Sequence, residues 1–230
     1  MTEFETRHRP IRSYVRREGR LTKGQQRALN DLLPRFGVTP GEGLFDFRAI
    51  FGREAPVILD IGFGDGEALA QMAAAHPQWD FLGIEVHRPG AGHLLLDLEK
   101  RGLTNVRAAI ADANEVLRRN VPDGGLAGID LFFPDPWPKK RHHKRRLVQP
   151  QWLELAVRKL QPGGFLHLAT DWADYAEHML AVVTDNPDLE NPAGPDGFAP
   201  DRGDRPETKF ERRGMRKGHR VYDLIVYRKR

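Results

Sequence analysis

Three acidic residues, Asp60, Glu85 and Asp112, stand at the ends of three successive apolar runs in the sequence. Each run has the length of a buried β-strand, and a helix-prone stretch follows each of them. In an open α/β sheet, ligands bind at the carboxyl ends of the parallel strands. We therefore expect the three carboxylates to lie along one ligand-binding edge of a sheet.

A turn of sequence Gly-Phe-Gly-Asp-Gly, at residues 62–66, directly follows the first of these runs. Glycines allow a tight turn and let a ligand approach the backbone closely. A nicotinamide-dinucleotide fingerprint needs a third small residue at position 67, where this chain has Glu67. A pyrophosphate would meet that carboxylate near a helix start. Acids at Asp60, Asp65 and Glu67 instead suit a cationic ligand, such as the amino group and sulfonium of S-adenosylmethionine.

Glu85 and Asp112 have the positions that would complete such a site. An acid at Glu85 can accept hydrogen bonds from both ribose hydroxyls, and Asp112 can accept one from an adenine amino group. Two simpler interpretations stay open. The glycine turn can be a plain strand–helix connection, and Asp112 can be a helix N-cap.

The alternation of strand-length and helical segments predicts a parallel sheet with helices on both faces. The predicted strands are 57–61, 81–86, 106–111, 129–133, 165–169 and 221–227. The predicted helices are 67–75, 92–101, 114–120, 150–160 and 174–184, and a turn is predicted at 162–164. The last strand lacks a preceding crossover helix, so we expect it to join an edge of the sheet in the antiparallel direction.

Positive charge is concentrated in three segments, although the 230-residue chain has a formal net charge of only +4. Residues 1–35 carry a net +5, residues 139–146 carry +6 and residues 202–230 carry +7, which leaves −14 for the remainder. Basic segments can converge on one face and bind a polyanion by releasing its counterions. We interpret them as a nucleic-acid interface that contacts the phosphate backbone, with three unrelated solvated surfaces as the alternative.

One globular domain with basic additions accounts for the length and composition. Residues 1–35 are expected to form a basic, flexible N-terminal arm with a helix near 23–32. Residues 36–230 are expected to form a single domain with a basic loop at 138–147 and a Pro/Gly-rich loop at 186–206.

The composition also excludes several classes of protein. The chain has no cysteine, which excludes thiol nucleophiles, thiolate zinc sites, iron–sulfur clusters and disulfides. The longest stretch free of Asp, Glu, Lys and Arg is 68–79, twelve residues, whereas a membrane-spanning helix needs about 20 apolar ones. The basic N-terminus lacks the apolar core of a secretory signal. We therefore expect a cytoplasmic protein that does not associate with membranes.

The fourth predicted strand leads into the sequence Phe-Phe-Pro-Asp-Pro-Trp-Pro-Lys at 132–139. Its prolines stiffen the loop, which presents Asp135 at the ligand edge of the sheet. Nucleobase methyltransferases that alkylate exocyclic amines have a similar Asp/Asn-Pro-Pro-aromatic loop, in which the polar group holds the base and the aromatic ring stacks on it. The alternative is a rigid loop in which Trp137 fills a gap in the core.

Six motifs, in this order, resemble the bacterial tRNA (guanine-N7-)-methyltransferase family over roughly residues 56–227. They are Asp-Ile-Gly-Phe-Gly-Asp-Gly (60–66), Phe-Leu-Gly-Ile-Glu-Val-His (81–87), Phe-Phe-Pro-Asp-Pro-Trp (132–137), Lys-Lys-Arg-His-His-Lys-Arg-Arg (139–146), Ala-Thr-Asp-Trp (169–172) and Thr-Lys-Phe-Glu-Arg-Arg-Gly (208–214). The resemblance implies a Rossmann-like class I methyltransferase fold. In that α/β fold a mostly parallel seven-stranded sheet has an antiparallel terminal strand and helices on both faces. One departure is Asp60, where the family usually has Glu.

The resemblance implies methyl transfer from S-adenosylmethionine to N7 of a guanosine in the variable loop of tRNA, at position 46 of that RNA. The implied cofactor-binding residues are Asp60, Gly62, Gly64, Glu85, Asp112, Asn114 and Asp135, and Asp135 is also the implied catalytic residue. The implied substrate-binding residues are Lys139, Asp171, Thr208, Lys209, Phe210 and Glu211. No metal and no obligatory protein partner are implied, and the chain is expected to act as a monomer or homodimer.

Some of these assignments have alternatives. Asp171 can cap the helix predicted from residue 174, and Phe210 can belong to the core instead of stacking on the substrate. His142 and His143 lie in a cationic run that repels metal ions and lowers imidazole basicity, so we interpret them as phosphate contacts. For the whole chain, the competing functions are methylation of an exocyclic amine and RNA binding without turnover.

Overall fold

The computed structural model describes residues 13–14, 19–216 and 218–230, apart from the side chains of Lys209, Phe210 and Arg213. Its strands are β1 (Val57–Ile61), β2 (Asp80–Glu85), β3 (Val106–Ile110), β4 (Leu126–Phe132), β5 (Leu160–Thr170), β6 (Leu189–Glu190) and β7 (Tyr222–Arg228). Its helices are α1 (Lys23–Asp31), α2 (Leu33–Phe36), α3 (Phe47–Phe51), α4 (Glu67–Ala75), α5 (Arg88–Arg101), α6 (Ala113–Arg119), α7 (Pro150–Lys159), α8 (Ala173–Thr184) and α9 (Lys209–Met215). A 3₁₀ segment, Lys140–Arg145, lies between β4 and α7.

Within these residues, one sheet of seven strands has the order β3-β2-β1-β4-β5-β7-β6. Strands β1 to β5 run parallel, and β7 is antiparallel to both of its neighbours. The strand order reverses between β1 and β4, so the turns that follow these two strands face each other across the topological switch point. That point is where such sheets bind ligands. The predicted α/β class with a mostly parallel seven-stranded sheet is confirmed.

Two details of the sheet differ from the prediction. Strand β7 does not lie at the edge, because Leu189 and Glu190 form β6 and pair with its outer side. The loop predicted at 186–206 therefore includes a short strand, which two residues are too few to reveal by periodicity. The predicted turn at 162–164 lies inside β5 as a bulge, where Gly163 has a φ of 80°.

Helices cover both faces of the sheet, as expected, and each face has its own core. In β1, Ile58 packs into the core formed with α1, α4 and α5, whereas Leu59 packs into the core formed with α6, α7 and α8. All five residues of β1 are buried. Burial on both faces explains why β1 is an apolar run interrupted by one acid, since parallel central strands face helices on each side.

The N-terminal basic segment is partly a component of this fold. Thr22 caps α1 with a reciprocal capping box, and Ala28 and Leu29 of α1 are buried. The side chain of Gln25 donates a hydrogen bond to the Pro89 carbonyl at the start of α5, at 3.1 Å. The helix expected near 23–32 is therefore present, but residues 23–35 are packed on the domain and do not form a flexible arm. Residues 1–12 and 15–18 of the predicted arm lie outside the described residues.

Across the described ranges, no helix combines the length and the apolar character that crossing a bilayer requires.

Candidate active site

A cavity of about 500 Å³ lies at the switch point between β1 and β4. Asp60 and the turn after β1 form one side, and Phe132 and Phe133 at the end of β4 form the other. Thr208, the N-cap of α9, also lines the cavity. This volume lies within the usual range of ligand pockets, roughly 300–1,000 Å³. We call it the ligand cavity.

The glycine turn has the backbone conformation that its sequence predicts. Gly62, Gly64 and Gly66 have φ values of 76°, 62° and 80°, in the left-handed region that favours glycine. The first turn of α5 packs against it so closely that a Cβ atom on Gly90 would lie 1.9 Å from the Gly64 carbonyl oxygen. The turn and the start of α5 therefore form one tightly fitted wall of the ligand cavity.

The Glu85 carboxylate holds this wall together from the end of β2. It accepts hydrogen bonds from the backbone N–H of Gly64 at 3.0 Å, of Val86 at 2.6 Å and of His87 at 2.9 Å. The sequence predicted that Glu85 would stand at this edge, but it gave no sign that the carboxylate would bind the glycine turn. Its contact with a cofactor ribose stays a prediction.

Asp60 is a strongly perturbed acid of the ligand cavity. It is 3% exposed, and burial together with the charge of Glu85 raises its pKa to about 7. The rise corresponds to roughly 4 kcal/mol against the ionised form. A ligand that brings positive charge next to Asp60 would recover this energy. The carboxylate and the open glycine turn thus fit the cationic amino acid part of S-adenosylmethionine.

A second buried acid, which the sequence analysis did not single out, stands beside Asp60. Asp130 on β4 pairs in register with Asp60 and is 3% exposed. Burial and the charges of Asp60 and Asp204 raise its pKa well above the usual value. Asp130 lines a second, smaller cavity together with His167 and Arg205, and it does not line the ligand cavity.

Asp112 and Asn114 lie at the end of β3, next to Glu85. The Ala111 N–H donates to the Glu85 carbonyl at 3.1 Å, which joins the ends of β2 and β3. Asp112 is the N-cap of α6 and accepts from the Asn114 N–H at 2.9 Å. The capping alternative is therefore realised, and an adenine contact of either residue stays a prediction.

The loop after β4, residues 133–139, presents Asp135 on an exposed surface at the ligand edge. Phe133 and Trp137 flank it with φ values of 52° and 47°, which are rare for residues other than glycine and cost on the order of 1–3 kcal/mol each. Trp137 does not fill a core gap: it is partly exposed, and its indole N–H donates to the Ser13 carbonyl at 3.1 Å. The strain on both sides of Asp135 is typical of a functional loop.

Arg146 anchors this loop from the end of the basic run. Its side chain is 1% exposed, pairs with Asp174 and lies 4.9 Å over the ring of Tyr175. Its Nε donates to the Pro136 carbonyl at 3.0 Å, directly after Asp135. Arg146 belongs to the basic run that the sequence predicts to face RNA, but its burial shows that it supports the loop instead.

The other cations of the run are exposed: Lys139, Lys140, Arg141, Lys144 and Arg145. They project from the 3₁₀ segment beside the loop that carries Asp135. Desolvation and the neighbouring arginines Arg141 and Arg145 lower the pKa of His142, as the sequence predicted. Across the described residues, no group of three or more His, Cys, Asp or Glu side chains could hold a metal ion.

The remaining candidate residues meet where α9 approaches the end of β5. Asp171 pairs with His219 at 3.3 Å, and a Cβ on Gly214 would lie 3.0 Å from its carboxylate. The alternative that Asp171 caps α8 is wrong, because the N-cap is Trp172 and no side chain provides the cap hydrogen bond. Thr208 caps α9 by accepting from the Glu211 N–H at 3.1 Å.

Glu211 is 3% exposed and its carboxylate pairs with Arg205, so it faces the interior. The side chains of Lys209 and Phe210 lie outside the described part of the chain, so the question of whether Phe210 stacks on the substrate or packs in the core stays open.

Comparisons with known proteins identify the family and the fold of the chain. A family model described as "Putative methyltransferase" matches residues 54–224. The chain is 67% identical over 227 residues to the tRNA (guanine-N(7)-)-methyltransferase of Alkalilimnicola ehrlichii, covering 98% of this chain and 95% of that protein. It is 60% identical over 218 residues to the protein of the same name from Halorhodospira halophila, covering 94% of each. Its fold is similar to that of the 16S rRNA methyltransferase KamB, with a TM-score of 0.58 and 17% identity, over 81% of this chain and 95% of that chain.

Proposed function

The chain belongs to the tRNA (guanine-N(7)-)-methyltransferase family, and we propose that it transfers a methyl group from S-adenosylmethionine to N7 of a guanosine in the variable loop of tRNA. The observation that carries the proposal is an acid-lined cavity bordered by Phe133, from which the loop with the exposed Asp135 leads directly into a run of exposed cations. The cavity suits a cationic methyl donor, and the run of cations suits a polyanion.

In this proposal, Asp60 and the turn at 62–66 bind the cofactor, with Glu85, Asp112 and Asn114 completing its site. S-adenosylmethionine supplies, when bound, an electrophilic methyl group on a sulfonium. The tight fit between the turn and α5 gives the site a fixed shape, and positioning is the main task of an enzyme in an in-line displacement.

The acceptor needs little help from a general base. Guanine N7 is an exposed hydrogen-bond acceptor with a free lone pair, so no proton has to be removed before it attacks. Positive charge develops on the purine ring during the transfer. Asp135 stabilises that charge and accepts a hydrogen bond from the guanine N1–H or amino group. This role explains a site that is rich in carboxylates.

The RNA backbone is bound by the exposed cations of 139–145, with Lys139, Asp171 and the start of α9 nearest the target nucleotide. Bacterial tRNA is cytoplasmic, so a cytoplasmic location follows from the proposed substrate. The reaction requires no further protein, and a monomer or a homodimer could carry it out.

Replacing Lys140 and Lys144 by Gln should reduce the salt dependence of tRNA binding. Each phosphate contact contributes up to about 0.9 to the slope of log K against log salt concentration, so the slope should fall by up to about two. Filter binding at several salt concentrations measures it. Replacing Lys100 and Arg101 by Gln, at the far end of α5, is the matched control and should leave the slope unchanged. An unaltered slope in the first variant would remove these lysines from the interface.

The affinity for S-adenosylmethionine should rise with pH up to about 7 and then level off. The free protein keeps a proton on Asp60 below its pKa of about 7. A cationic ligand binds the ionised form, so each pH unit below that value should weaken binding by up to about tenfold. Titration calorimetry from about pH 5.5 to pH 7.5 measures this dependence. Wild-type affinity that does not change over this range would contradict the role of Asp60.

Asp60→Asn is the control for this experiment. Its affinity should be low and independent of pH. Because the native state holds the Asp60 proton more tightly than the unfolded chain does, ionisation destabilises the free wild-type protein as pH rises from about 4 to about 7. Asp60→Asn removes this penalty, so its melting temperature at pH 8 should be equal to or above that of the wild type. A folded variant with weak, pH-independent binding separates loss of the contact from loss of structure.

The proposed function is tested by mapping the methylated nucleotide. The protein is incubated with labelled S-adenosylmethionine and an unmodified tRNA transcript, and the product is treated with borohydride and aniline, which cleave at N7-methylguanosine. One cleavage in the variable loop is expected. Label without cleavage would show that another atom is methylated. Nucleoside analysis of that product then tests for an exocyclic amine, the target suggested by the likeness of Asp135-Pro136-Trp137 to amine-methylating loops. Binding without label would indicate an RNA-binding protein without turnover.

A further inference from the structure

Arg205 lies at the centre of a buried charged cluster. The cluster lies behind Phe132 and Phe133, which form one side of the ligand cavity. The side chain of Arg205 has no exposed surface. Its Nε and Nη2 donate to the two carboxylate oxygens of Asp223 on β7, at 2.8 and 2.9 Å, and its Nη1 donates to Glu211 on α9 at 2.6 Å. Asp223 also contacts His167 on β5 at 2.9 Å. We call Arg205, Glu211, Asp223 and His167 the Arg205 cluster.

The Arg205 cluster touches the cavity wall directly. The guanidinium lies 5.7 Å from the ring centre of Phe132 and 5.3 Å from that of Phe133, within the range of cation–π contacts. Both rings line the ligand cavity, and they are the residues that lead into the loop with Asp135. Thr208, which also lines the cavity, lies in the chain between Arg205 and Glu211.

The contacts within the cluster keep Arg205 and Asp223 in their charged forms. Burial alone would lower the pKa of Arg205, but its bonds to Asp223 and Glu211 raise it above the usual value. Burial alone would raise the pKa of Asp223, but the bonds from His167 and Arg205 hold it below the usual value. Arg202 adds a further cation, 3.4 Å from Glu211. Arg205 therefore stays charged and holds β7 and α9 together at neutral pH.

Stability alone explains such a cluster poorly. Replacing a buried ion pair by apolar residues of similar volume is often neutral or stabilising, so a gain in stability does not by itself account for these buried charges. The planar guanidinium offers its donors in a fixed fork, and here it satisfies two carboxylates while it packs on two aromatic rings. It therefore fixes the start of α9 relative to both the sheet and the cavity wall.

We infer that Arg205 is a positioning residue for methyl transfer, and that Glu211 acts through Arg205 without touching the RNA. This inference rests on the proposed function, because it gives a task to the start of α9 in that reaction. Glu211 is assigned to the substrate by resemblance, yet its buried carboxylate already accepts from Arg205. The RNA contacts Thr208 and α9. The ion pair between Arg205 and Glu211 holds them in place against Phe132 and Phe133.

A double-mutant cycle tests the inference with Arg205→Lys, Glu211→Gln and the combined variant. Lysine keeps the charge but lacks the fork, and glutamine keeps the shape of glutamate but lacks its charge. Each single variant should lower kcat/KM for tRNA by about ten- to a hundredfold, since small displacements near a reacting centre have effects of this size. The combined variant should be no worse than the poorer single variant, because both changes break one contact.

Binding measurements separate positioning from direct contact. In Glu211→Gln the loss should appear in kcat, while the tRNA dissociation constant stays within about threefold and its salt slope is unchanged. Effects that multiply in the combined variant, or a loss of tRNA affinity in Glu211→Gln as large as its loss of kcat/KM, would overturn the inference. If Arg205→Lys does not fold, the Glu211→Gln measurements still decide between the two roles.

Lys159→Met is the matched control for removal of a buried cation. Lys159 is buried, donates to the Val121 carbonyl at 2.8 Å and pairs with Asp123 at 2.7 Å, away from the ligand cavity. The Lys159→Met variant should have a lower melting temperature and an unchanged kcat/KM at temperatures where it is folded.

The methylated nucleotide of the wild-type product is mapped before the variants are compared. A wild type without N7 methylation refutes the proposed function, whereas a methylating wild type with multiplicative effects refutes the inference alone.

Discussion

Asp135→Ala should lower kcat/KM for tRNA methylation by about 10³-fold, the upper end of the range for removing one charge-stabilising group from a transition state. The loss should fall on kcat, because Asp135 acts on charge that develops as N7 attacks. Since Asp135 is one exposed acid among many exposed cations, tRNA affinity should change by less than about threefold. Single-turnover kinetics with labelled S-adenosylmethionine, together with filter binding, measure the two quantities separately.

Asp135→Asn and Asp196→Ala complete this experiment. Asparagine keeps a hydrogen-bond acceptor but lacks the negative charge, so its activity should lie between those of the wild type and the alanine variant. Asp196 is an exposed acid in the Pro/Gly-rich loop, and its replacement should leave the rate unchanged. Methylation that survives in Asp135→Ala at the wild-type rate would remove this residue from the mechanism.

Gly90→Ala should weaken S-adenosylmethionine binding on the order of 100-fold, the upper end of the effect expected from overpacking a tight site. Helix propensity alone predicts a more stable α5 and no loss of binding, because alanine is favoured over glycine inside a helix by about 1 kcal/mol. The difference comes from the contact with the glycine turn, where the new Cβ would lie 1.9 Å from the Gly64 carbonyl oxygen. The turn has to move, and the shape of the ligand cavity changes with it. Titration calorimetry measures the loss.

Gly24→Ala is the matched glycine control, also inside a helix. Its Cβ would meet Leu96 at 3.8 Å, an ordinary van der Waals contact. This variant should bind S-adenosylmethionine like the wild type and should be as stable or slightly more stable. Equal binding by Gly90→Ala and Gly24→Ala would show that the fit between α5 and the turn does not shape the cofactor site.

The sheet could be read from the sequence because its strands are buried on both faces. Burial of this kind produces continuous apolar runs such as Val57–Ile61, and the acid at the end of a run then stands out. The glycine turn was predictable for a similar local reason, since three left-handed positions in five residues require glycine. Strand β6 was missed because Leu189 and Glu190 are held by pairing with β7, a contact that leaves no local pattern.

The residues that hold the candidate site in place could not be predicted, because they act through contacts between segments that are distant in the sequence. Arg146 and Arg205 look like any other cations of the basic segments, and sequence shows charge but not burial. The same holds for Glu85, whose partner is the backbone of the glycine turn, and for Asp130, which becomes important through its register with Asp60 on the neighbouring strand. The packing of α1 on the domain was not predicted, because the many basic residues of the N-terminal segment obscure the few apolar positions that α1 buries.

A tRNA transcript with 7-deazaguanosine at the variable-loop target shows whether guanine N7 is the atom that receives the methyl group. This analogue keeps the Watson–Crick edge of guanine but has a C–H in place of the N7 lone pair. We expect the protein to bind the substituted and unsubstituted transcripts equally well and to transfer no methyl group to the substituted one. Equal incorporation of label into both transcripts would show that the methyl group goes to another atom.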